Sequence, residues 1–298
     1  MIKKTGLIAL LMFVLSLPSV GLAATVGNTA ETQGAAGKFS LGVEYDGVTN
    51  RDLKWKSGTM SMTYLGVTDS DTIPSAGDSI EDMEAESNRI FLKGTVGVHP
   101  NVDVFVKLGM ADADWKMTEK SPGSPDSKTE FNGDWDLAYG IGAKAKLFQT
   151  PGGLRVMADA QYLRYEVDGK LKTDGTEFDQ DILADLRSTD PNATFSSTKK
   201  TKVQEWQVAL YVNKTIGKFS PYGGVKYSDF KADLELDGSG QYLGDPFSIK
   251  IDGKSEADKN FGIFLGTDIY VIPNKLSVNL EGRFIDETAF TIGANYKF

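Results

Sequence analysis

Side chains that commonly carry acid–base, nucleophilic or metal chemistry are scarce in this sequence of 298 residues. It contains no cysteine and one histidine, His99, so disulfide frameworks and zinc clusters are excluded, because both need several such residues at defined spacing. His99 stands before Pro100 and Asn101, as in a tight turn, and we predict a turn residue rather than a catalytic base. Carboxylates are numerous, but no spacing among them indicates an active site. No catalytic, cofactor-binding or metal-ligating residue is therefore assigned.

The charge composition excludes a further class of function. Lys and Arg number 32 against 41 Asp and Glu, a net charge of -9, so the chain lacks the basic surface that a nucleic-acid partner requires. Two segments are crowded with carboxylates of the kind that Ca²⁺ and Mg²⁺ prefer, although neither has EF-hand spacing. The sequence leaves open a specific ion site or a solvated, mutually repelling surface. The acidic residues are Asp69, Asp71, Asp78, Glu81, Asp82, Glu84 and Glu86 in the first segment, and Asp233, Glu235, Asp237, Asp245, Asp252, Glu256 and Asp258 in the second.

Other charged residues recur at alternate positions within apolar stretches, so each set falls on one face of an extended strand. Cations and carboxylates are equal in number at these alternate positions. The cations are Arg89, Lys93, Lys107, Lys144, Lys146, Arg155, Lys226 and Arg283, and the carboxylates are Glu44, Asp46, Asp103, Asp136, Asp159, Glu205, Asp268 and Glu281.

The elements that must position these charges follow one pattern from Lys38 onward, an alternation of apolar with small or polar residues over about ten positions. This pattern predicts about ten β-strands, of which the seventh is the weakest because Gly223 and Gly224 blur its phase. The predicted strands lie near 39–45, 90–98, 102–110, 137–147, 154–162, 206–212, 221–230, 261–271, 276–284 and 290–298.

The connections between these strands alternate strictly between tight and long. A soluble β-sandwich has no reason to sort its connections in this way. In the third long connection, Phe178, Ile182, Leu183 and Leu186 recur at helical spacing, which predicts a short amphipathic helix at the rim. The tight connections are 99–101, 149–153, 217–218 and 273–274, the long ones are near 48–87, 116–134, 168–201 and 233–258, and a short fifth is at Asp286-Glu287.

The amino terminus has the pattern of a secretion signal. Lys3 and Lys4 precede an apolar run over 7–17, Pro18 ends it, and small residues follow at the two positions that a signal peptidase reads, Gly21 and Ala23. The run is too short for a membrane-spanning helix, which needs about 20 residues. We predict a cleaved signal peptide over 1–24, with an uncleaved anchor as the alternative. Residues 25–37 are predicted to be a flexible periplasmic leader and 38–298 a single domain.

This combination resembles the transmembrane β-barrels of Gram-negative outer membranes, in the small OmpA/OmpX-like or porin-like range, and the resemblance covers nearly the whole chain. Its most specific part is the last strand, where Phe290, Ile292, Tyr296 and Phe298 alternate up to the final residue. In that class, such an ending is similar to the signal that the barrel-assembly machinery reads. The resemblance implies an all-β chain that forms one closed antiparallel barrel of about ten strands, with 8–12 possible, in the outer membrane. Its implied partners are outer-membrane lipids, lipopolysaccharide, periplasmic chaperones and an unknown extracellular ligand.

A membrane barrel places the alternating charges in its interior, since unpaired backbone groups in hydrocarbon force the sheet to close. A barrel of this size is about wide enough for side chains to fill, and enclosed charges must pair. We expect a fixed charge network that narrows the lumen, with solvated side chains along a thin channel as the alternative. For Arg283 the expected partner is Asp268. The network residues are Arg89, Lys107, Asp103, Lys144, Arg155, Asp159, Glu205, Asp268, Glu281 and Arg283.

The tryptophans Trp55, Trp115, Trp135 and Trp206 all lie near the long connections. They are candidates for the outer aromatic girdle of a barrel, with packing inside the loops as the alternative.

The resemblance also bears on enzymatic activity. Outer-membrane barrels that are proteases, phospholipases or acyltransferases use a histidine near the outer rim, whereas His99 falls in a turn on the periplasmic side. We expect a non-enzymatic protein with a structural or surface-interaction role. A narrow diffusion pore for small polar solutes is the alternative, and a soluble periplasmic β protein is a third.

Overall fold

The computed structural model describes residues 30–73, 80–120 and 125–298, and within them strands predominate. The predicted signal peptide, residues 25–29 of the leader and Asp78 lie outside the described residues. The only helix in the described ranges is α1 (Phe178–Arg187). The strands are β1 (Phe39–Tyr64), β2 (Val67–Ile73), β3 (Ile80–His99), β4 (Val102–Ala111), β5 (Asp114–Glu119), β6 (Ser127–Gly133), β7 (Asp136–Gln149), β8 (Arg155–Thr173), β9 (Thr176–Glu177), β10 (Thr194–Asn213), β11 (Phe219–Tyr242), β12 (Asp245–Ala257), β13 (Phe261–Ile272), β14 (Leu276–Phe284) and β15 (Thr288–Lys297).

Ten of these strands form a closed antiparallel ring. Its order is β1, β3, β4, β7, β8, β10, β11, β13, β14 and β15, and β15 pairs again with β1. Each strand predicted from the alternation pattern corresponds to one strand of this ring, so the predicted number of about ten is confirmed. Because the ring closes, its hydrogen-bonding edges are all paired, which is the condition for placing a sheet in hydrocarbon.

The four predicted tight connections lie together at one end of the ring, here called the turn end. They join β3 to β4, β7 to β8, β10 to β11 and β13 to β14. In the last of them Asn274 has a φ of 58°, a left-handed conformation that Asn tolerates better than most residues. Strictly antiparallel neighbours with short links at one end account for the alternation seen in the sequence.

The segments predicted as four long loops are mostly strand, which corrects that prediction. They continue the wall beyond the ring as an eight-stranded extension of β1, β3, β5, β6, β8, β10, β11 and β12. β5 continues the position of β4 beside β3, and β12 continues that of β13 beside β11. The extension has two strands fewer because β14 and β15 end early, and β12 then pairs directly with β1. Backbone pairing in place of long loops leaves fewer polar groups unsatisfied.

The extension is filled by apolar side chains, so it is a packed core and not an open vestibule. Trp115 and Phe131 stack with ring centroids 5.7 Å apart, and Trp55 is buried beside them. Glycine makes room for the Trp55 ring, because a Cβ on Gly253 would lie 2.2 Å from its Cη2 atom. The girdle prediction is therefore wrong for Trp55 and Trp115, which point inward, whereas Trp135 and Trp206 are exposed on the outer surface.

The predicted rim helix is present as α1. Its apolar residues Phe178, Ile182, Leu183 and Leu186 pack against inward-facing side chains of the extension, Phe195, Phe247 and Ile249 among them. The helix therefore lies over the open end of the extension. Asp179 and Asp181 in its first turn and Arg187 in its last turn complement the helix dipole.

The outer surface of the ring is apolar and its inner surface is polar. Outward positions such as Val106, Ile141, Val208 and Leu265 are exposed, whereas the alternate positions are buried. In the described part of the chain, no helix is long and apolar enough to cross a membrane.

Candidate functional site: the charged interior of the ring

The interior of the ring narrows to a charged layer where the ten-stranded ring meets the extension. This layer, here called the waist, contains four cations and four carboxylates, all almost completely buried. Balanced charge is what such a confined interior requires, because an unpaired buried ion is very costly. The waist consists of Arg51, Arg89, Lys226 and Arg283 with Asp46, Glu205, Asp286 and Glu287.

The short β14–β15 hairpin supplies two of these carboxylates. Asp286 and Glu287 of its connection turn into the interior, and both side chains are about 1% exposed. Lys226 of β11 pairs with Asp286 at 2.8 Å and also binds Glu287. The hairpin end is therefore anchored by an ion pair across the interior, at the place where β12 closes over it.

Two arginines join the remaining carboxylates into one network. Arg51 binds Glu205 at 2.9 Å and also binds Glu287. Arg89 lies 3.3 Å from the second oxygen of Glu205, so this carboxylate bridges two guanidinium groups. The Arg51 guanidinium also lies 4.2 Å from the centre of the Phe230 ring, which adds a cation–π contact.

Arg283 is the centre of a second part of the waist. Its Nε lies 3.0 Å from Glu287, and its two Nη atoms lie 3.4 Å from Asp46 and 3.5 Å from Glu281. The expected pairing of Arg283 with Asp268 is wrong. In the β13–β14 register Arg283 lies opposite Phe264 and Asp268 lies opposite Asn279, a separation of roughly 13 Å along the strand.

A middle layer lies between the waist and the turn end. Lys107 pairs with Glu44 at 2.5 Å, and Lys93 lies 4.0 Å both from Glu44 and from the centre of the Phe105 ring. Lys144 lies opposite Asp103 on β4 and opposite Asp159 on β8 in the strand register. Signs therefore alternate across β4, β7 and β8, whereas the like charges Lys93 and Lys107 lie opposite each other on β3 and β4 and share Glu44.

Residues 30–37 of the predicted leader occupy the turn-end mouth. The Ala30 N–H donates to Asp268 at 2.7 Å, and the Gln33 N–H donates to Asp103 at 2.8 Å. Tyr211 and Asn213 donate to the Ala30 carbonyl, each at 3.2 Å. Two carboxylates of the predicted charge network therefore bind the backbone of this segment.

The side chain of Glu31 fixes the same segment by charge. Its carboxylate pairs with Arg155 at 2.5 Å and accepts a hydrogen bond from Thr215. Burial opposes ionisation of Glu31, but the Thr215 hydroxyl and the Arg155 charge outweigh it and lower the pKa of this carboxyl. Glu31 is therefore ionised at neutral pH and holds residues 30–37 in the mouth.

The structure places all ten residues of the predicted charge network on the inner side of the ring. Arg89, Glu205 and Arg283 belong to the waist, and Glu281 contacts it through Arg283. Lys107, Lys144 and Asp159 lie in the middle layer, and Asp103, Asp268 and Arg155 contact residues 30–37.

The structure also shows the positions of the remaining alternating charges and of the residues expected to form the assembly signal. Glu44, Lys93, Asp46 and Lys226 point inward as the alternation indicated, whereas Asp136 is exposed and Lys146 half-buried at strand ends. The outward side chains of Phe290, Ile292 and Tyr296 lie on β15, and Phe298 stacks on Phe39 at 4.4 Å.

Sequence reasoning missed three residues of the waist, Arg51, Asp286 and Glu287. All three lie in segments taken as loops. A signal for Arg51 existed, because the alternation of β1 resumes at Leu53 and Trp55 after a bulge between Val48 and Arg51. Nothing in the short connection indicated that these two carboxylates turn inward.

The space left at the waist is small, whereas a cavity of about 520 Å³ lies at the turn-end mouth beside Glu31, Lys38 and Lys297. Two cavities border the waist, one lined by Arg51, Arg89 and Trp115 and the other by Arg89, Lys107 and Glu205, and each holds about 10 Å³. That volume is about one water molecule. Among the described residues, no group of three or more His, Asp or Glu side chains is arranged to hold a metal ion.

Comparison with known proteins shows which proteins this chain is similar to. No family model matches the chain. The major outer membrane porins of Chlamydia trachomatis are similar to it: serovar L1 is 25% identical over 296 residues, covering 76% of this chain and 73% of the porin, and serovar D has the same values.

The solved structures that resemble this chain share less of its sequence than the porins do. The outer membrane protease OmpT of Escherichia coli has a TM-score of 0.45 at 13% identity and covers 92% of this chain and 100% of its own. The outer membrane protein OprG of Pseudomonas aeruginosa has a TM-score of 0.36 at 10% identity and covers 90% and 99%. Likenesses of this size carry no argument about function. The closed ring, its apolar outer surface and the porin relatives agree with the resemblance read from the sequence: this chain is an outer-membrane β-barrel protein.

Proposed function

We propose that the protein is a closed, non-enzymatic outer-membrane barrel with a structural or surface-interaction role, which displays the extension outside the cell. The observation that carries this proposal is the waist, where four cations and four carboxylates pair across the interior. Ion pairs at 2.8–3.4 Å, with cavities of only about 10 Å³ beside them, support a layer that solutes do not cross.

Two other features support a closed barrel. Residues 30–37 cross the turn-end mouth and cover part of it, and this mouth faces the periplasm in this class of protein. At the other end, the apolar core of the extension and α1 cover the interior. A solute would have to pass three separate obstacles.

The absence of enzymatic activity is part of the same proposal. His99 is exposed at the turn end, and its Nδ1 accepts a hydrogen bond from the Asn101 N–H at 3.2 Å. That position suits a turn residue.

We also propose that the barrel-assembly machinery reads Phe290, Ile292, Tyr296 and Phe298, and that periplasmic chaperones, outer-membrane lipids and lipopolysaccharide are the other partners.

A narrow diffusion pore for small polar solutes is the second candidate, favoured by the relatives, which are named porins. In that case residues 30–37 would have to leave the mouth and the waist would have to rearrange.

Planar-bilayer recording of protein purified from outer membranes separates the two functions. The closed barrel predicts no stable single-channel steps from the complete protein. A variant lacking 25–37 tests the contribution of the mouth, and Lys200→Ala, on the outer surface of the extension, is the matched control. Regular steps from the complete, folded protein would contradict the closed barrel and establish the pore.

A further inference from the structure

The outer wall of the ring contains an apolar hollow of about 630 Å³. Its floor consists of the small outward residues Gly94, Ala143 and Ala160, where the neighbouring outward positions carry larger side chains. Phe39 lies at its turn-end limit, and Tyr162 and Trp206 lie at its opposite limit with ring centroids 4.6 Å apart. The hollow is therefore a shallow apolar groove on the outer surface, with aromatic side chains at both ends.

The strand register gives the hollow its direction. It follows the hydrogen-bonding direction across six strands, a length of roughly 24 Å at about 4.8 Å per strand. Because strands of membrane barrels tilt by about 45°, this direction rises by roughly 17 Å along the membrane normal, about the depth of one leaflet of a hydrocarbon core about 30 Å thick. One row of facing residues runs from Leu41 through Gly94, Val106, Ile141 and Tyr162 to Trp206.

A cation lies just beyond the Tyr162 end. Arg164 is exposed on the same face of β8, two residues further along and thus roughly 7 Å away. Within the described residues no carboxylate pairs with Arg164, in contrast to Lys200 and Lys202 on the adjacent strand, which bind Glu166 and Glu235. An unpaired guanidinium at the level of the lipid headgroups favours a phosphate.

We propose that this hollow is a binding site for one anionic lipid of the outer leaflet, with an acyl chain over Gly94, Ala143 and Ala160 and its phosphate on Arg164. The aliphatic lining offers hydrocarbon contact to the chain, and Tyr162 and Trp206 lie at the depth where amphipathic rings prefer the interface. The site does not depend on whether the lumen conducts.

Native mass spectrometry of the full protein released from nanodiscs tests the site. The nanodiscs contain phosphatidylethanolamine with a minority of phosphatidylglycerol as the anionic probe. We expect the wild type to retain one phosphatidylglycerol. Ala143→Leu fills the floor and should reduce the retained fraction about tenfold, and Arg164→Gln should remove the preference for the anionic lipid by a similar factor.

Ala294→Leu is the matched control, because Ala294 faces outward on β15 between Val43 and Val278, one strand beyond the hollow and outside its lining. It should retain lipid as the wild type does. Gel migration with and without heating shows that each variant is folded. Equal retention in the wild type, Ala143→Leu and Arg164→Gln would overturn the proposal. A dimer that is lost in Ala143→Leu without any change in lipid would also overturn it and assign the hollow to a second copy of the chain.

Discussion

Removing Arg283 tests whether the waist is a fixed ion-pair network. Arg283 is completely buried and contacts Asp46, Glu281 and Glu287 at 3.0–3.5 Å. After Arg283→Ala, Asp46 keeps the Thr291 hydroxyl at 3.3 Å, and Glu287 keeps Arg51 and Lys226. Three cations then face four carboxylates, so one buried carboxylate lacks a counter-charge. Breaking a buried pair in this way costs about 3–5 kcal/mol.

The assay is reversible urea unfolding of the barrel in lipid vesicles, followed by tryptophan fluorescence. Lys200→Ala is the control, since its pair with Glu166 is 39% exposed on both sides and should contribute at most about 1 kcal/mol. The double variant Arg283→Met with Asp46→Asn removes one charge of each sign and should recover most of the lost stability. A loss for Arg283→Ala no larger than that of the control would refute the fixed network and favour a wet lumen, in which water and salt screen these charges.

Three further predictions follow from other parts of the fold. Ile141→Arg on the outer wall, where Ile141 is 59% exposed, should lower the free energy of unfolding by about 2–4 kcal/mol in the same assay, whereas Ile141→Val should change it little. Deleting Phe298, which stacks on Phe39, should reduce the amount of protein in outer-membrane fractions while secretion across the inner membrane continues; unchanged outer-membrane levels would contradict the assembly role. Burial opposes ionisation of Asp179, but hydrogen bonds from Lys199 and Ser197 outweigh it and lower the pKa of Asp179 below its ordinary 3.8. A lowered folded-state pKa stabilises the attachment of α1 above pH 3.8, and this contribution is lost as the pH falls through the lower folded value. The protection of the α1 amides against hydrogen exchange, measured relative to the intrinsic exchange rate at each pH, should fall there, and Asp179→Asn should remove this pH dependence of the protection.

The ten strands of the ring could be predicted from the sequence, because the alternation of residue types along a strand shows which residues share each of its two faces. Val104, Val106 and Leu108 on one face and Asp103 and Lys107 on the other fix which side of β4 meets lipid, whatever its neighbours are. The same local reasoning found α1 from the spacing of Phe178, Ile182 and Leu186. Each of these patterns lies within a single element.

The sequence by itself therefore determined the ten strands of the ring, the inward direction of most of its charges and the class of protein, but not the strands of the extension. Only the tertiary structure decided which charges meet. The stagger between neighbouring strands brings Arg283 to Asp46 and Glu287 and separates it from Asp268. It also lets β12 pair with β1 over the β14–β15 hairpin, which turns Asp286 and Glu287 inward. Trp55 and Trp115 are buried for the same kind of reason, since the segments around them pair across the extension. Strand alternation has a period of two and carries no information on the offset between strands, so these contacts depend on the closed assembly as a whole.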